Sequence, residues 1–170
     1  MLRISGIKTC DTENGPGLRV SLWTQGCPFK CDGCHNSETW SFCGGKRFAE
    51  HHMKYIIEEL KEGQDFSILG GEPLLDVNSE QLEELLLNLK DRFPNLNVWL
   101  WTGREWEDAL NYDNILKYVD VCICGKYDKN NPVKDSDRNL EKYRYFGSKN
   151  QYIVDVKKSL DASKRILLKC

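Results

Sequence analysis

The stretch LRVSLWTQGCPFKCDGCHN, residues Leu18 to Asn36, decides how this chain is read. Its first seven residues, Leu18 to Thr24, are a run of β-favouring side chains that stops at Gln25-Gly26. Directly beyond come Cys27, Cys31 and Cys34, separated by three residues and then by two. A strand therefore delivers three thiols onto one short loop at its carboxyl end. Structural zinc calls for four tetrahedral ligands, and His35 or Cys43 could complete such a set. A cubane [4Fe-4S] cluster is held by thiolates instead, and these spacings let one loop wrap several of its corners. Three cysteines would leave one iron open to another molecule, and an open position is what separates a catalytic metal site from a closed structural one.

Outward from that loop the chain alternates. Apolar Met53, Ile56, Ile57 and Leu60 recur at helical spacing within a predicted helix from Ala49 to Glu62, with Gly63 to stop it. Phe66 to Leu69 reads as a buried strand. Asn78 and Ser79 are suited to cap the next helix, whose stripe is Leu82, Leu85, Leu86, Leu89 and Phe93 before Pro94. Val98 to Trp101 is the following strand, a weaker helix covers about Trp106 to Tyr118, and Val119 to Ile123 and Tyr152 to Val156 read as strands. Crossovers of this length imply parallel strands in right-handed βαβ units. At 170 residues the chain is too short for a complete eight-unit barrel, which needs about 250 residues. The expected fold is one α/β domain spanning residues 1–170, an open sheet or part of a parallel (β/α) barrel with about five or six strands. Functional loops then lie at the strands' carboxyl ends, where Gly26, Gly70-Gly71-Glu72-Pro73, Thr102-Gly103 and Gly125-Lys126 fall. Asp128 to Asn139 reads as a surface loop.

Composition excludes several classes. A net charge of -2 offers no basic field for nucleic acid. No apolar run approaches the ~20 residues of a membrane span, and Met1 to Cys10 lacks the apolar core of a signal peptide, so a cytoplasmic location is expected. Eight cysteines in such a compartment argue for metal binding where clustered. The scattered Cys10, Cys122, Cys124 and Cys170 are expected to be small buried apolar side chains.

The C-x3-C-x2-C loop resembles the signature of radical S-adenosylmethionine enzymes. Asn14 to Trp40 (NGPGLRVSLWTQGCPFKCDGCHNSETW) is similar to the amino-terminal part of those that activate glycyl-radical enzymes. LGGEPL (69–74), WLWTG (99–103), CGKYD (124–128) and FGSKNQ (146–151) follow the order of the branch acting on anaerobic ribonucleotide reductase. The similarity covers about Asn14 to Gln151, and the short length favours that branch. Gly33 stands where many members of the superfamily carry an aromatic residue, and Cys124 where this branch commonly has aspartate.

The resemblance implies a partial barrel of the radical S-adenosylmethionine type. It implies a [4Fe-4S] cluster on Cys27, Cys31 and Cys34, with S-adenosylmethionine chelated at the fourth iron. The segment Gly70-Gly71-Glu72 would line the S-adenosylmethionine site, its glycines letting the ligand approach the backbone and Glu72 or nearby carbonyls receiving the ammonium. Backbone around Gly33, Cys34 and His35 would support the adenine, and Thr102-Gly103 would face the ligand. The implied partners are the large glycyl-radical subunit of anaerobic ribonucleotide reductase and a flavodoxin or ferredoxin as electron donor.

Plainer readings exist for each motif. Gly70 to Pro73 is also a tight turn after a strand, Asn14 to Gly17 a turn before one, and Lys126 a solvated side chain. Packing accounts for at least one of Trp99 and Trp101. His51 and His52, near a helix start, read as exposed rather than as ligands. Two other readings of the whole stand beside the first: activation of pyruvate formate-lyase or another glycyl-radical enzyme, and a non-catalytic zinc-binding module.

Overall fold

The computed structural model describes residues 1–138, 140 and 143–168, so Asn139 and Cys170 lie outside the described residues. Its frame is a mixed sheet of seven strands among those residues: β1 (Arg3–Asp11), β2 (Arg19–Thr24), β3 (Lys46–Arg47), β4 (Asp65–Gly70), β5 (Val98–Trp101), β6 (Val121–Cys124) and β7 (Tyr152–Asp155). The spatial order is β3-β1-β2-β4-β5-β6-β7. β2, β4, β5 and β6 pair in parallel, as the alternation predicts, whereas β1, β3 and β7 join antiparallel. The expectation of five or six strands is therefore corrected to seven. β1 and β3 escape a reading based on strand-helix alternation because antiparallel strands need no crossover helix.

Alternation along each strand splits the sheet into two unlike faces. Val20 and Leu22 of β2, Phe66 and Ile68 of β4, Val98 and Leu100 of β5 and Cys122 and Cys124 of β6 point one way. Against them pack α1 (Glu50–Leu60) through Ile56 and Leu60, and α2 (Asp76–Arg92) through Leu82, Leu85, Leu86 and Leu89, all buried. Two sequence expectations are amended on this side. α2 starts at Asp76 behind Leu75, and Asn78 is buried within the first turn, its amide donating to the carbonyls of Glu72 and Pro73, 3.2 Å each. The predicted helix at 106–118 is broken into α3 (Trp106–Ala109), a 3-10 turn (Leu110–Tyr112) and α4 (Asp113–Leu116). Asn111 there bonds the carbonyl of Asp108, the local competition that makes such residues poor helix formers. A short α5 (Val156–Asp161) follows β7.

The opposite face carries Arg19, Ser21 and Trp23 of β2, Ser67 and Leu69 of β4, and Trp99 and Trp101 of β5. No helix of eight residues or more covers it among the described residues; the loops before β2 and between β6 and β7 do, the latter turning Val133 and Phe146 inward against Trp99, Val121, Ile123 and Ile153. Arg19, wholly buried, organises the amino ends of the parallel strands. Its guanidinium donates to Ser67 Oγ (2.6 Å), to the carbonyls of Pro16 (3.1 Å), Phe66 (2.6 Å) and Asn97 (2.9 Å), and to Asn97 Oδ1 (3.3 Å). Burial pulls its pKa down to about 10, partly offset by Asp65 at 3.5 Å. Gly15, at φ +119°, is required there because any side chain would strike the Arg19 stem.

Candidate active site

The four parallel strands end side by side, and each exit loop is hydrogen-bonded to the next. Gly71 N–H donates to the carbonyl of Thr24 and Glu72 N–H to that of Gly26, both at 2.9 Å, tying the β4 exit to the β2 exit. Gly103 N–H reaches Glu72 Oε2 at 2.8 Å and Thr102 Oγ1 reaches Glu72 Oε1 at 2.7 Å, tying β5 to β4. Gly125 N–H donates to the Arg104 carbonyl at 2.9 Å, tying β6 to β5. Gln151 closes the row: its amide donates to the Gly125 carbonyl and its Oε1 accepts from Gly147 and Ser148. This explains the FGSKNQ segment, which the sequence reading used only as a signature.

These exits surround a cavity of about 660 Å³ on the loop-covered face. Cys27, Cys31, Cys34 and His35 line it, together with Gly70, Gly71, Glu72 and Thr102, so the structure gathers nearly every residue singled out from sequence. Gly33 is not in the wall. It lies on the exposed outside of the cysteine loop at φ +73°, where a Cβ would stand 3.4 Å from Lys129 and 3.5 Å from Tyr127.

The cysteine loop is held from both sides. On the inside, Gly26 and Cys27 donate to the carbonyls of Thr39 (2.7 Å) and Trp40 (3.1 Å), and buried Gln25 donates to those of Ser41 and Glu38. On the outside, His35 packs on Tyr127 at 4.8 Å between rings, Lys126 sits 4.8 Å over Phe29, and Lys129 pairs with Asp32. Tyr127 and Lys129 are contributors that sequence reasoning missed; CGKYD was quoted as a motif, but nothing local says which loop it covers.

The donor set suits an iron-sulfur cluster. Three thiols half-exposed to one cavity can each take a separate metal corner, and Asn36 N–H already points at Cys34 Sγ, 3.4 Å away, a contact of the kind that tunes cluster sulfurs. Burial pushes the Cys27 and Cys31 thiols up, while backbone N–H groups oppose this in both and Lys126 does so at Cys31. Coordination to metal supplies the positive charge that holds such thiols deprotonated. Among the described residues, no three His, Cys, Asp or Glu side chains gather round a single point as one metal ion would require. Cys43 is exposed and outside the cavity, and its loop serves Arg3, whose guanidinium bonds the carbonyls of Cys43, Gly44 and Gly45.

Other sequence expectations are modified. Gly70 and Gly71 also serve the packing of the loops: a Cβ would lie 2.7 Å from Thr24 O at the first and 2.5 Å from Gly26 O at the second, so their bareness lets two backbones meet. Glu72 is fully buried and its carboxylate accepts from Leu74 N–H, Thr102 Oγ1 and Gly103 N–H, with burial driving its pKa up to about 7. It braces two loops. Cys122 and Cys124 are buried as expected, sulfurs 3.6 Å apart in the helix-side core. Cys10 contradicts that expectation: it is exposed, at φ +53°, in the twisted end of β1. His51 is exposed and His52 accepts from Ala49 N–H, neither near the cavity.

Comparison with known proteins agrees with an iron-sulfur cluster. Residues 13–154 match the family described as a 4Fe-4S single cluster domain. The chain is 40% identical over 144 residues to a protein of Enterobacteria phage T4, covering 84% of this chain and 92% of that one. It is 34% identical over 150 residues to one from Vibrio cholerae (84% and 91%) and 32% identical over 123 residues to one from Escherichia coli K12 (69% and 79%). All three bear the same name, anaerobic ribonucleoside-triphosphate reductase-activating protein.

Proposed function

The chain belongs to the anaerobic ribonucleoside-triphosphate reductase-activating proteins, and we propose from that premise that it is a radical S-adenosylmethionine enzyme that installs a glycyl radical on the large subunit of an anaerobic ribonucleotide reductase. The observation that carries this is the convergence of three loop thiols and four strand exits on one cavity. When bound, the [4Fe-4S] cluster supplies one electron and S-adenosylmethionine supplies the 5'-deoxyadenosyl radical that takes a hydrogen atom from glycine.

Cys27, Cys31 and Cys34 hold three corners of the cluster. The Gly70 to Glu72 carbonyls and the Thr102-Gly103 exit are assigned to the amino-acid end of S-adenosylmethionine, and the backbone of Cys34 and His35, which line the cavity, to its adenine. The Glu72 carboxylate accepts hydrogen bonds from Leu74, Thr102 and Gly103 and so holds these two exits at a fixed separation, and the ammonium is assigned to it or to the nearby carbonyls. Trp23, Leu69, Trp101 and Phe146 give the cavity apolar walls that keep water from a reactive carbon radical. Glycine suits the target because no side chain obstructs its approach to the pocket.

The sheet, helical on one face and concave with loops on the other, is assigned to the partial (β/α) barrel of the radical S-adenosylmethionine type, one domain over residues 1–170. Among the described residues no helix is long and apolar enough to cross a membrane; a cytoplasmic site and a flavodoxin or ferredoxin donor complete the proposal.

Anaerobic reconstitution with iron and sulfide, then electron paramagnetic resonance of the reduced protein, should give a cluster signal that changes on adding S-adenosylmethionine. Incubation with reductant and the reductase should yield 5'-deoxyadenosine and a glycyl radical on the reductase. Firmly bound zinc with no cluster signal would instead support a zinc-binding module.

A further inference from the structure

Three residues separate Cys27 from Cys31, and they do not face alike. Pro28 and Lys30 are exposed, whereas Phe29 is half-buried and lines the cavity. Lys30 stands at φ +46°, a left-handed conformation that is strained for a residue with a side chain. The loop thus accepts a costly turn directly beside an inward aromatic ring, and holding three metal corners does not by itself call for that ring.

The ring is seated on Gly103, at the exit of β5. A Cβ there would lie 2.5 Å from Cδ2 and 2.7 Å from Cε2 of Phe29, with its next neighbour, Glu72 Oε2, at 3.5 Å. Gly103 is not among the glycines at positive φ, so the left-handed region does not explain it; the ring does. Two cations flank the ring within the range of cation–π attraction, Lys126 Nζ at 4.8 Å and the Arg104 guanidinium at 5.9 Å from its centroid. Arg104 is itself fixed, donating to the Leu74 carbonyl (2.9 Å) and the Tyr112 hydroxyl (3.1 Å). The His35–Tyr127 and Lys129–Asp32 contacts tie the cysteine loop to the loop beyond β6, and Phe29 ties it to the exit of β5.

We propose that Phe29 is a positioning residue: its ring, seated on Gly103, fixes the cysteine loop against the β5 exit and so sets how the cluster and S-adenosylmethionine meet. The inference rests on the functional reading above, which puts the cluster on the thiols of that loop and the amino-acid end of S-adenosylmethionine at Thr102-Gly103. Two groups carried by different strand exits react only if the exits keep their spacing, and a misplacement of about 1 Å can cost on the order of 100-fold.

Phe29→Ala, Gly103→Ala and the double variant form a cycle that isolates the contact between ring and seat. Each is reconstituted anaerobically, and iron and sulfide are measured first. Affinity for S-adenosylmethionine per cluster then follows from the change in the reduced-state electron paramagnetic resonance during a titration. All three variants should carry wild-type iron and sulfide, because the thiols remain. Phe29→Ala and Gly103→Ala should each weaken S-adenosylmethionine binding by about tenfold or more, about 1.4 kcal/mol. In the double variant Gly103→Ala should add no further loss, because the seat is already empty. A Gly103→Ala effect of equal size with and without the ring overturns the proposal, as does wild-type affinity in Phe29→Ala. Loss of iron in Phe29→Ala with unchanged affinity per remaining cluster overturns it equally, since the ring would then support the cysteine loop alone. If Phe29→Ala takes up no cluster, the cycle is run with Phe29→Val, which stops short of the seat, and is decided by the same criterion. A wild-type protein that holds no [4Fe-4S] cluster would instead remove the functional reading on which this one stands.

Discussion

The two faces of the sheet are made by the same strands and are built on opposite principles. On the helix side Val20, Leu22, Phe66, Ile68, Val98 and Leu100 meet leucines of α2 in a core whose members are interchangeable in kind. On the cavity side Arg19, Ser21, Ser67, Trp99 and Trp101 alternate with them and depend on particular partners. Burial of apolar surface is non-directional and tolerates repacking, whereas a buried polar group needs a donor or acceptor in one place. Non-directional packing is therefore concentrated on one face and partner-specific contacts on the other, with Arg19 and Glu72 holding the second in shape.

Substitutions along that division should separate the two properties. Cys31→Ser is expected to abolish cluster binding, while Cys43→Ser, outside the cavity, keeps full iron content; measuring iron, sulfide and the reduced-state resonance of both decides the ligand set. Arg19→Ala removes five hydrogen bonds and leaves the carbonyls of Pro16, Phe66 and Asn97 short of donors, so urea unfolding should show a loss of about 3–5 kcal/mol. Leu86→Ala on the helix face should cost about 2–5 kcal/mol, yet the folded fraction should bind cluster as the wild type does. If Leu86→Ala lowered cluster content per folded molecule, the two faces would not be independent.

Glu72 gives the finest test. Its carboxyl titrates near pH 4.5 when unfolded and at about 7 when folded, because burial outweighs its three hydrogen bonds. Between those values the folded state keeps a proton that the unfolded chain has released, so stability falls as pH rises through that window, by an amount on the order of 3 kcal/mol. Glu72→Gln should flatten the dependence; urea midpoints of both proteins from pH 4.5 to 7.5 measure the difference. Identical profiles would mean that the brace does not titrate in this range.

The cysteine loop was legible because it is local: Cys27, Cys31 and Cys34 lie within eight residues, and the strand that delivers them is contiguous with it. The α2 stripe and the parallel centre were legible for a similar reason, since period and alternation are properties of short windows. Cys10 was misjudged because burial depends on which strand lies alongside, and β1 was invisible to a pattern that waited for a helix after each strand. Asn78 was read as a cap from its residue type, while its amide is committed to the loop at Glu72.

By itself, then, the chain's sequence determined that three thiols share one loop at a strand's end, that four such ends exist, and which residues stand at them. Only the tertiary structure decided what those residues touch. Glu72 meets Thr102 across 30 positions, Arg19 meets Asn97 across 78, and Lys129 meets Asp32 across 97. A hydrogen bond is set within tenths of an ångström, and contacts between groups so far apart along the chain come into range only once the sheet has assembled around its core.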